Sequence, residues 1–399
     1  MEEISATESV VTTKEADPSF FHIDDIWTEI LLRIPAKDLV KLKAVCKSWY
    51  KLINSQSFAR SHVDHWRSQC TNCCAIRADC TIDGYTASSI LYFSLHHSRE
   101  KEWEFQLHDL LIRNCYPYMI ETESLEELEL LASCDGLLLI GCTVNAFCQL
   151  LICNPITRSY RRLPLFQPPL DLFFKFESDI LKQYDWAMGQ NHSTGRYKVF
   201  GMCKYPHYLQ RICHIVELQR DSEELSCLDW KQLDAPLPNI WLIQSSTAAD
   251  GKVHWIAATD EQPAQVSILS VDISTDRFST SAAIMALPET DLEATWNGAF
   301  YCTRMQGNEQ RIWALENFSK PTWVAKAGSF CYDPDSCWDE TISRQFILPG
   351  GTKVAVDIDS WYNDAVIALD TDLGCRSNLV ICWDAERVVH HINSLVDFS

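Results

Sequence analysis

Between Phe21 and Val63 apolar residues recur every three or four positions: Ile26, Ile30 and Ile34, then Leu39, Leu42, Val45, Cys46, Trp49, Leu52 and Ile53. That period gives each segment one apolar face and predicts short amphipathic helices. Pro35 divides the pattern, because proline disfavours helical geometry in the residue before it and suits the first turn of a new helix. One helix is therefore expected to end near Ile34 and another to begin there. Asn54 and Ser55 break the pattern again, and Ser57 to Trp66 resumes it. A helical cluster of about forty residues buries too little apolar area to stand alone, so it is expected to need a partner, with a helix bundle as the natural one.

From about Ala87 the pattern changes to short runs of Leu, Ile, Val, Phe, Tyr and Trp, interrupted by Gly, Pro, Asn or Asp, which predicts strands and turns. The clearest unit is Leu130 to Pro164. Asp135-Gly136 marks a turn before one strand, Asn154-Pro155 a turn after a second, and Leu163-Pro164 stops a third. The same grammar returns at Asp250-Gly251 to Trp255, at Ser267 to Phe278 with Leu287-Pro288, and more faintly at Leu379 to Val389. Asn154, Asp272 and Asp384 are spaced at about three times the ~40-residue length of a four-stranded propeller blade. Intermediate units fit around Tyr197 to Leu233 and Trp296 to Lys326. The fold class is thus α + β multidomain, with a small helical N-terminal unit and an all-β propeller-like domain of about six blades. A β-sandwich pair is the alternative.

The pattern divides the chain into a disordered acidic tail over 1–19, a helical unit over 20–66, a connector over 67–86 and the β domain over 87–399. Residues Met1 to Ser19 have few large apolar groups with which to offset their ordering entropy. Cys70, Cys73, Cys74 and Cys80 suggest zinc at first sight, but no second Cys-x-x-Cys or suitably spaced His pair follows, so Cys70 to Cys80 is read as a first strand with its loops and no metal.

Charge narrows the partners. Formal net charge is −20 over 399 residues, which argues against a sequence-independent nucleic-acid binder. Locally the sign reverses, with Lys37, Lys41, Lys43, Lys47, Lys51 and Arg60 against Asp38 alone between Ala36 and Arg60, which suggests an acidic partner surface. No run approaches the ~20 apolar residues of a membrane span. The N-terminus is not a secretory signal, so the 18 cysteines are expected as thiols and the protein in cytoplasm or nucleus.

Asp24-Asp25, Glu29-Ile30-Leu31, Arg33-Ile34-Pro35, Val45-Cys46-Lys47-Ser48-Trp49 and Leu52-Ile53 stand in the order and spacing of the F-box, which this stretch resembles, although His22-Ile23 replaces the usual Leu-Pro. The resemblance implies docking to a Skp-type adaptor of a cullin complex through Ile26, Ile30, Leu31, Ile34, Pro35, Leu39, Leu42, Val45, Cys46, Trp49, Leu52 and Ile53. Farther on, Ser133 to Leu138, Asn154 to Thr157, Leu163-Pro164, Tyr197-Lys198-Val199, Asp250-Gly251 to His254-Trp255 and Arg311 to Leu315 resemble the F-box-associated, kelch-like propeller domain of plant F-box proteins. That domain implies recruitment of a protein substrate.

No Gly-x-Ser-x-Gly elbow, phosphate-binding loop, His-Glu-x-x-His helix or dinucleotide fingerprint occurs, so no catalytic residue and no cofactor are expected. Three function classes stand: a substrate receptor of a ubiquitin ligase, an F-box module acting outside any ligase, and a propeller hydrolase built from channel carboxylates. Trp255, Trp296, Trp313, Trp338 and Trp361 are read as packing between blades. Pro168 and Pro169 make Phe166 to Leu172 an expected surface loop, and Phe173, Phe174 and Phe176 beside it are the candidate substrate contacts, the alternative being that Leu172 to Phe176 forms a blade's outer strand tucked into the core.

Overall fold

The computed structural model describes residues 23–69, 73–82, 85–97, 103–109, 129–144, 147–167, 181–203, 212–218, 229–234, 240–242, 246–259, 262–281, 284–285, 290–296, 298–306, 309–331, 344–347, 353–357, 365–369, 376–377 and 385–396. Among the described residues four helices come first: α1 Ile23–Leu32, α2 Ala36–Leu42, α3 Lys47–Ile53 and α4 Gln56–Gln69. Pro35 is the residue before α2 and Asn54 the residue after α3, as the breaks in the apolar pattern predict.

Strands follow in antiparallel sheets, five of four strands and one of six among the described residues. The first group is β1 Cys73–Ile82, β2 Tyr85–His97 and β3 Trp103–Asp109; the second is β4 Glu129–Cys134, β5 Leu137–Val144, β6 Phe147–Asn154 and β7 Ser159–Arg162. The third is β8 Tyr184–Gln190, β9 Tyr197–Cys203, β10 Ile212–Glu217 and β11 Lys231–Asp234. In the fourth, β14 Lys252–Thr259 and β15 Gln262–Asp272 are flanked by broken partners: β12 Ile240–Leu242 and β13 Thr247–Ala249 both pair β14, and β16 Phe278–Thr280 and β17 Ile284–Met285 both pair β15. The fifth is β18 Thr290–Trp296, β19 Ala299–Gln306, β20 Glu309–Leu315 and β21 Val324–Cys331. The sixth is β22 Arg344–Ile347, β23 Lys353–Asp357, β24 Ala365–Leu369 and β25 Arg376–Ser377. The last strand, β26 Ala385–His390, returns to the first group in the order β26-β1-β2-β3. Six small sheets among the described residues, rather than two large ones, make this a propeller.

Inner strands of successive blades touch: β26 with β4, β4 with β8, β8 with β13 and β18 with β22. Blades 2 to 5 therefore have a neighbouring blade on both faces, blade 4 meeting blade 5 through β13 and β19. In β9, Val199 turns into the core shared with blade 2 and Phe200 into the core shared with blade 4. Burial on both sides explains the unbroken apolar run Leu137 to Ile140, every residue of which is fully buried. Polar groups tie the same seams. Asp185 Oδ2 accepts from the Trp255 indole N–H and from Ser246 N–H, each at 2.8 Å, and the Lys198 ammonium meets Asp276 Oδ1 at 2.6 Å. Trp255 is thus packing between blades, as expected.

Two expectations change. The stretch 67–86 is not a connector, because Arg67 to Gln69 complete α4 and Cys73–Ile82 is β1, paired on one side with β2 and on the other with β26. A strand is legible within Cys70 to Cys80, but its membership of blade 1 depends on β26, at the other end of the chain. Phe166 is not in a surface loop either. It is 1 % exposed, bridges to Cys148 of β6, and lies edge-on to Tyr184, Trp186, His214 and Trp230. The bridge precedes the proline pair in sequence, so the loss of donors at Pro168 and Pro169 does not bear on Phe166. Phe173, Phe174 and Phe176, with the 1–19 tail, lie outside the described residues.

The propeller interior also sets a pH dependence. Burial pushes His214 and His254 down to about 4, so both are neutral in the folded chain near neutral pH. An unfolded chain takes up these protons near the ordinary value of about 6.5, so stability present above that pH is lost as pH falls toward 4. Thermal melts between pH 7 and 5 are expected to show a steadily falling Tm, with a smaller fall in His254→Asn; a flat profile would contradict the buried neutral state.

Candidate functional site: the helical face and its seat on the propeller

The twelve residues expected at the adaptor face separate by burial. Leu31, Leu39 and Ile53 are fully buried inside the helical cluster, and Ile34, Leu42, Trp49 and Leu52 are half-buried against them. Ile26, Ile30, Pro35, Val45 and Cys46 are exposed. The first group holds the helices together and the last is free to meet a partner. Trp27 and Tyr50, outside the expected set, are exposed as well, at 40 % and 55 %. Helical periodicity could not single them out, because their positions fit either side of a short helix.

Ile26 and Ile30 stand one turn apart on α1, and Trp27 rests on Trp49 of α3 with ring centroids 5.3 Å apart. The exposed sides of α1 and α3 are thereby joined into one apolar surface. Cys46 acts locally as the residue before α3. It is extended at φ −156°, and its Sγ accepts from Trp49 N–H at 3.4 Å, a weak version of a hydroxyl cap. Around this surface Lys47 and Lys51 form no ion pair among the described residues, whereas Lys41 is paired with Asp38 at 2.9 Å. An exposed pair of that kind adds little stability.

The opposite side of the cluster is seated on the propeller. His62 Nε2 lies 2.9 Å from the Ile34 carbonyl, and the Trp66 indole N–H donates to the Leu32 carbonyl at 3.0 Å, so α4 satisfies the open end of α1. Arg67 then ion-pairs with Asp135, in the β4–β5 turn of blade 2, and Asp135 Oδ2 accepts from the Tyr197 hydroxyl at 3.1 Å. Burial and the Asp135 carboxylate push the Tyr197 phenol far above its usual range, which keeps it a donor. Gln56 and Arg60 of α4 lie against Gly195 in the β8–β9 turn.

A strap from the far end of the chain completes the seat. Residues His391 to Val396 follow β26, and Leu395 enters the helical core beside Leu31, Ala36, Leu39, Ile53, Phe58 and Ala59, with Ile156 against its edge. Asn154 Nδ2 holds the strap by donating to the Ser394 carbonyl at 3.1 Å and the Val396 carbonyl at 2.7 Å, while its Oδ1 accepts from Ile156 N–H at 2.9 Å. Ser133 Oγ meets His391 Nδ1 at 3.0 Å. Gly136, at φ +81°, lets the strap pass, since a Cβ there would fall within Ser394 and 2.6 Å from the Ile392 carbonyl oxygen. The helical cluster completes its small core with the chain's own C-terminal segment, whereas the apolar pattern alone points to a partner bundle.

The chain matches the F-box domain over residues 24–61 and the F-box-associated β-propeller domain over residues 81–359. It is a plant F-box protein with an F-box-associated propeller. Relatives in Arabidopsis thaliana include an F-box protein 26 % identical over 63 % of this chain and 57 % of its own length, and an F-box/kelch-repeat protein 24 % identical over 60 % and 55 %. Another F-box protein is 23 % identical over 73 % of this chain and 86 % of its own length. The match thus spans little more than half of the first relatives. Among solved structures, the β-propeller domain of the Trilobed protease from Pyrococcus furiosus aligns over 82 % of this chain and 95 % of that one at 8 % identity and a TM-score of 0.32.

Within this F-box protein, the motif residues that mark the propeller family converge on the seat. Ser133, Asp135, Gly136, Asn154, Ile156 and Tyr197 all contact α4, the strap or one another there. No described helix is long and apolar enough to cross a membrane.

Proposed function

We propose that this F-box protein is the substrate-recognition subunit of an SCF-type cullin-RING ubiquitin ligase, acting in cytoplasm or nucleus. Its F-box docks a Skp-type adaptor and its propeller recruits a protein substrate without performing chemistry itself. The observation that carries the reading is the exposed apolar surface of Ile26, Trp27, Ile30, Val45 and Tyr50 on a domain that matches the F-box. An exposed apolar face with Lys47 and Lys51 nearby, neither ion-paired among the described residues, suits a partner that is apolar at its centre and acidic at its rim. The ligase gains rate by proximity, holding substrate lysines near a charged ubiquitin carrier.

Because Ile30 and Val45 are 44 % and 60 % exposed, replacing both with Asp is expected to leave Tm nearly unchanged and weaken adaptor binding by about thirtyfold or more. Co-purification of the full chain with a Skp-type adaptor reads this directly, and adaptor capture at wild-type yield would reject the docking face. Cullin recovery in the same complex separates a ligase from an F-box module acting outside one.

Phe173, Phe174 and Phe176 remain the proposed substrate contacts. β7 runs away from the F-box seat and β8 begins at the same far rim, so the described residues on either side of 168–180 lie away from the F-box, which supports this reading. Phe173→Ser with Phe174→Ser is expected to lose captured substrate while keeping Tm and adaptor binding; a fall of many degrees in Tm would assign the pair to the core instead.

A further inference from the structure

We infer that the outer edge of blade 2 is a docking strand for an extended, acidic peptide segment of a partner protein. β7 is the last strand of its sheet, paired with β6 on one side and with no strand among the described residues on the other. The Leu163 N–H donates to the Leu150 carbonyl at 2.9 Å. In an antiparallel ladder successive residues alternate in direction, so Ser159 and Arg161 face β6, and Tyr160 and Arg162 turn their N–H and C=O groups outward. Those four groups are what an added strand needs.

The side chains along this edge select the sign of the partner. Tyr160 is 38 % and Leu165 59 % exposed, and Arg158 and Arg162 form no ion pair among the described residues. From Asn154 to Leu170 the sequence holds Arg158, Arg161 and Arg162 and not one Asp or Glu, within a chain of net charge −20. A second copy of this chain would bring its own arginines against these, and like charges facing across a strand pair are destabilising. Opposite charge is favoured across from Arg162, with an apolar residue two positions away on the same face to cover Tyr160. Arginines on an open edge also discourage indiscriminate strand pairing, which accounts for their charge but not for the exposed Tyr and Leu beside them.

This inference rests on the reading that the propeller recruits a protein, yet its test does not involve the adaptor. The probes are fluorescein-labelled (Glu-Thr-Val-Thr)3, which puts Glu and Val in turn on one face, and its charge-reversed counterpart (Lys-Thr-Val-Thr)3, read by anisotropy with the full chain. The acidic peptide is expected to bind and the basic one not, with weaker binding when salt is raised from about 50 to about 300 mM. Arg158→Ser with Arg162→Ser is expected to weaken binding about tenfold at unchanged Tm. Tyr160→Pro removes one outward N–H without touching the ladder to β6, so it is expected to lose more than Tyr160→Ala. Equal binding of both peptides, no binding of the acidic one, or wild-type affinity in the arginine variant would overturn the docking strand and leave adaptor docking untouched. Equal losses in the two Tyr160 variants would overturn strand addition.

Discussion

Leu395→Asp is expected to abolish adaptor binding although residue 395 lies at the far end of the chain from the F-box motif. Leu395 is 4 % exposed among Leu31, Leu39, Ile53 and Phe58, so the change removes apolar contact and places a carboxylate in the helical core. Truncating a buried Leu to Ala alone costs about 2–5 kcal/mol, and an unpaired buried charge costs more. A four-helix cluster of this size holds no more than about 3–5 kcal/mol in reserve. The helices should open locally while the propeller stays folded. Limited proteolysis would show early cleavage within residues 23–69, and a pulldown would show the adaptor lost. Val324→Asp, at a residue 54 % exposed, is the control and should change neither. Wild-type protease resistance and adaptor yield in Leu395→Asp would mean that the strap adds nothing to the F-box.

The helices and the repeated blade were legible in the sequence because local rules decide them. Asp135-Gly136 and Asp250-Gly251 both adopt positive φ in tight hairpins, the geometry their residue types favour. Asn154 and Asp272, aligned by spacing alone, act alike. Each side-chain Oδ1 accepts backbone N–H groups two and three residues on, closing equivalent turns. What stayed hidden depended on contacts distant in sequence. A strand is legible around Cys70 to Cys80, but its place beside β26 is set by pairing with the far end of the chain, which no window of sequence around Cys73–Ile82 could reveal.

The candidate site was legible to the same depth. Periodicity found the apolar residues of the F-box but not which of them face inward, since Leu31 and Ile30 are neighbours with opposite fates. That choice depends on where α4 and Leu395 lie. The propeller motifs were visible as motifs, yet their shared role was not, because Asp135, Asn154 and Tyr197 meet only when the strap passes between blade 2 and the helices. Under the ligase reading, this seat gives the substrate-bearing propeller a fixed orientation toward the adaptor. A flexible linker would instead average it over many positions.

A chain beginning at Ala87 is expected to be insoluble, whereas one beginning at Cys73 retains a folded propeller. The first cut removes β1, which carries the ladder from Cys74 to Ala78 against β26 and the ladder from Cys73 to Ile82 against β2. Without it β26 has no partner on that side, and blade 1 is left with the two strands β2 and β3, too few to be stable alone. The edges of β2 and β26 would both lie open to pairing with other chains. The second cut removes only α1 to α4, leaving every strand pair in place but uncovering Leu395 and Asp135 on the seat. Its product should be soluble, monomeric at low concentration and lower in Tm than the full chain. Solubility screening and size-exclusion chromatography of the two fragments decide the matter. A soluble, monomeric fragment from Ala87 would show that the ring does not depend on β1 to close, and loss of both fragments would show that the F-box and propeller fold only as one unit.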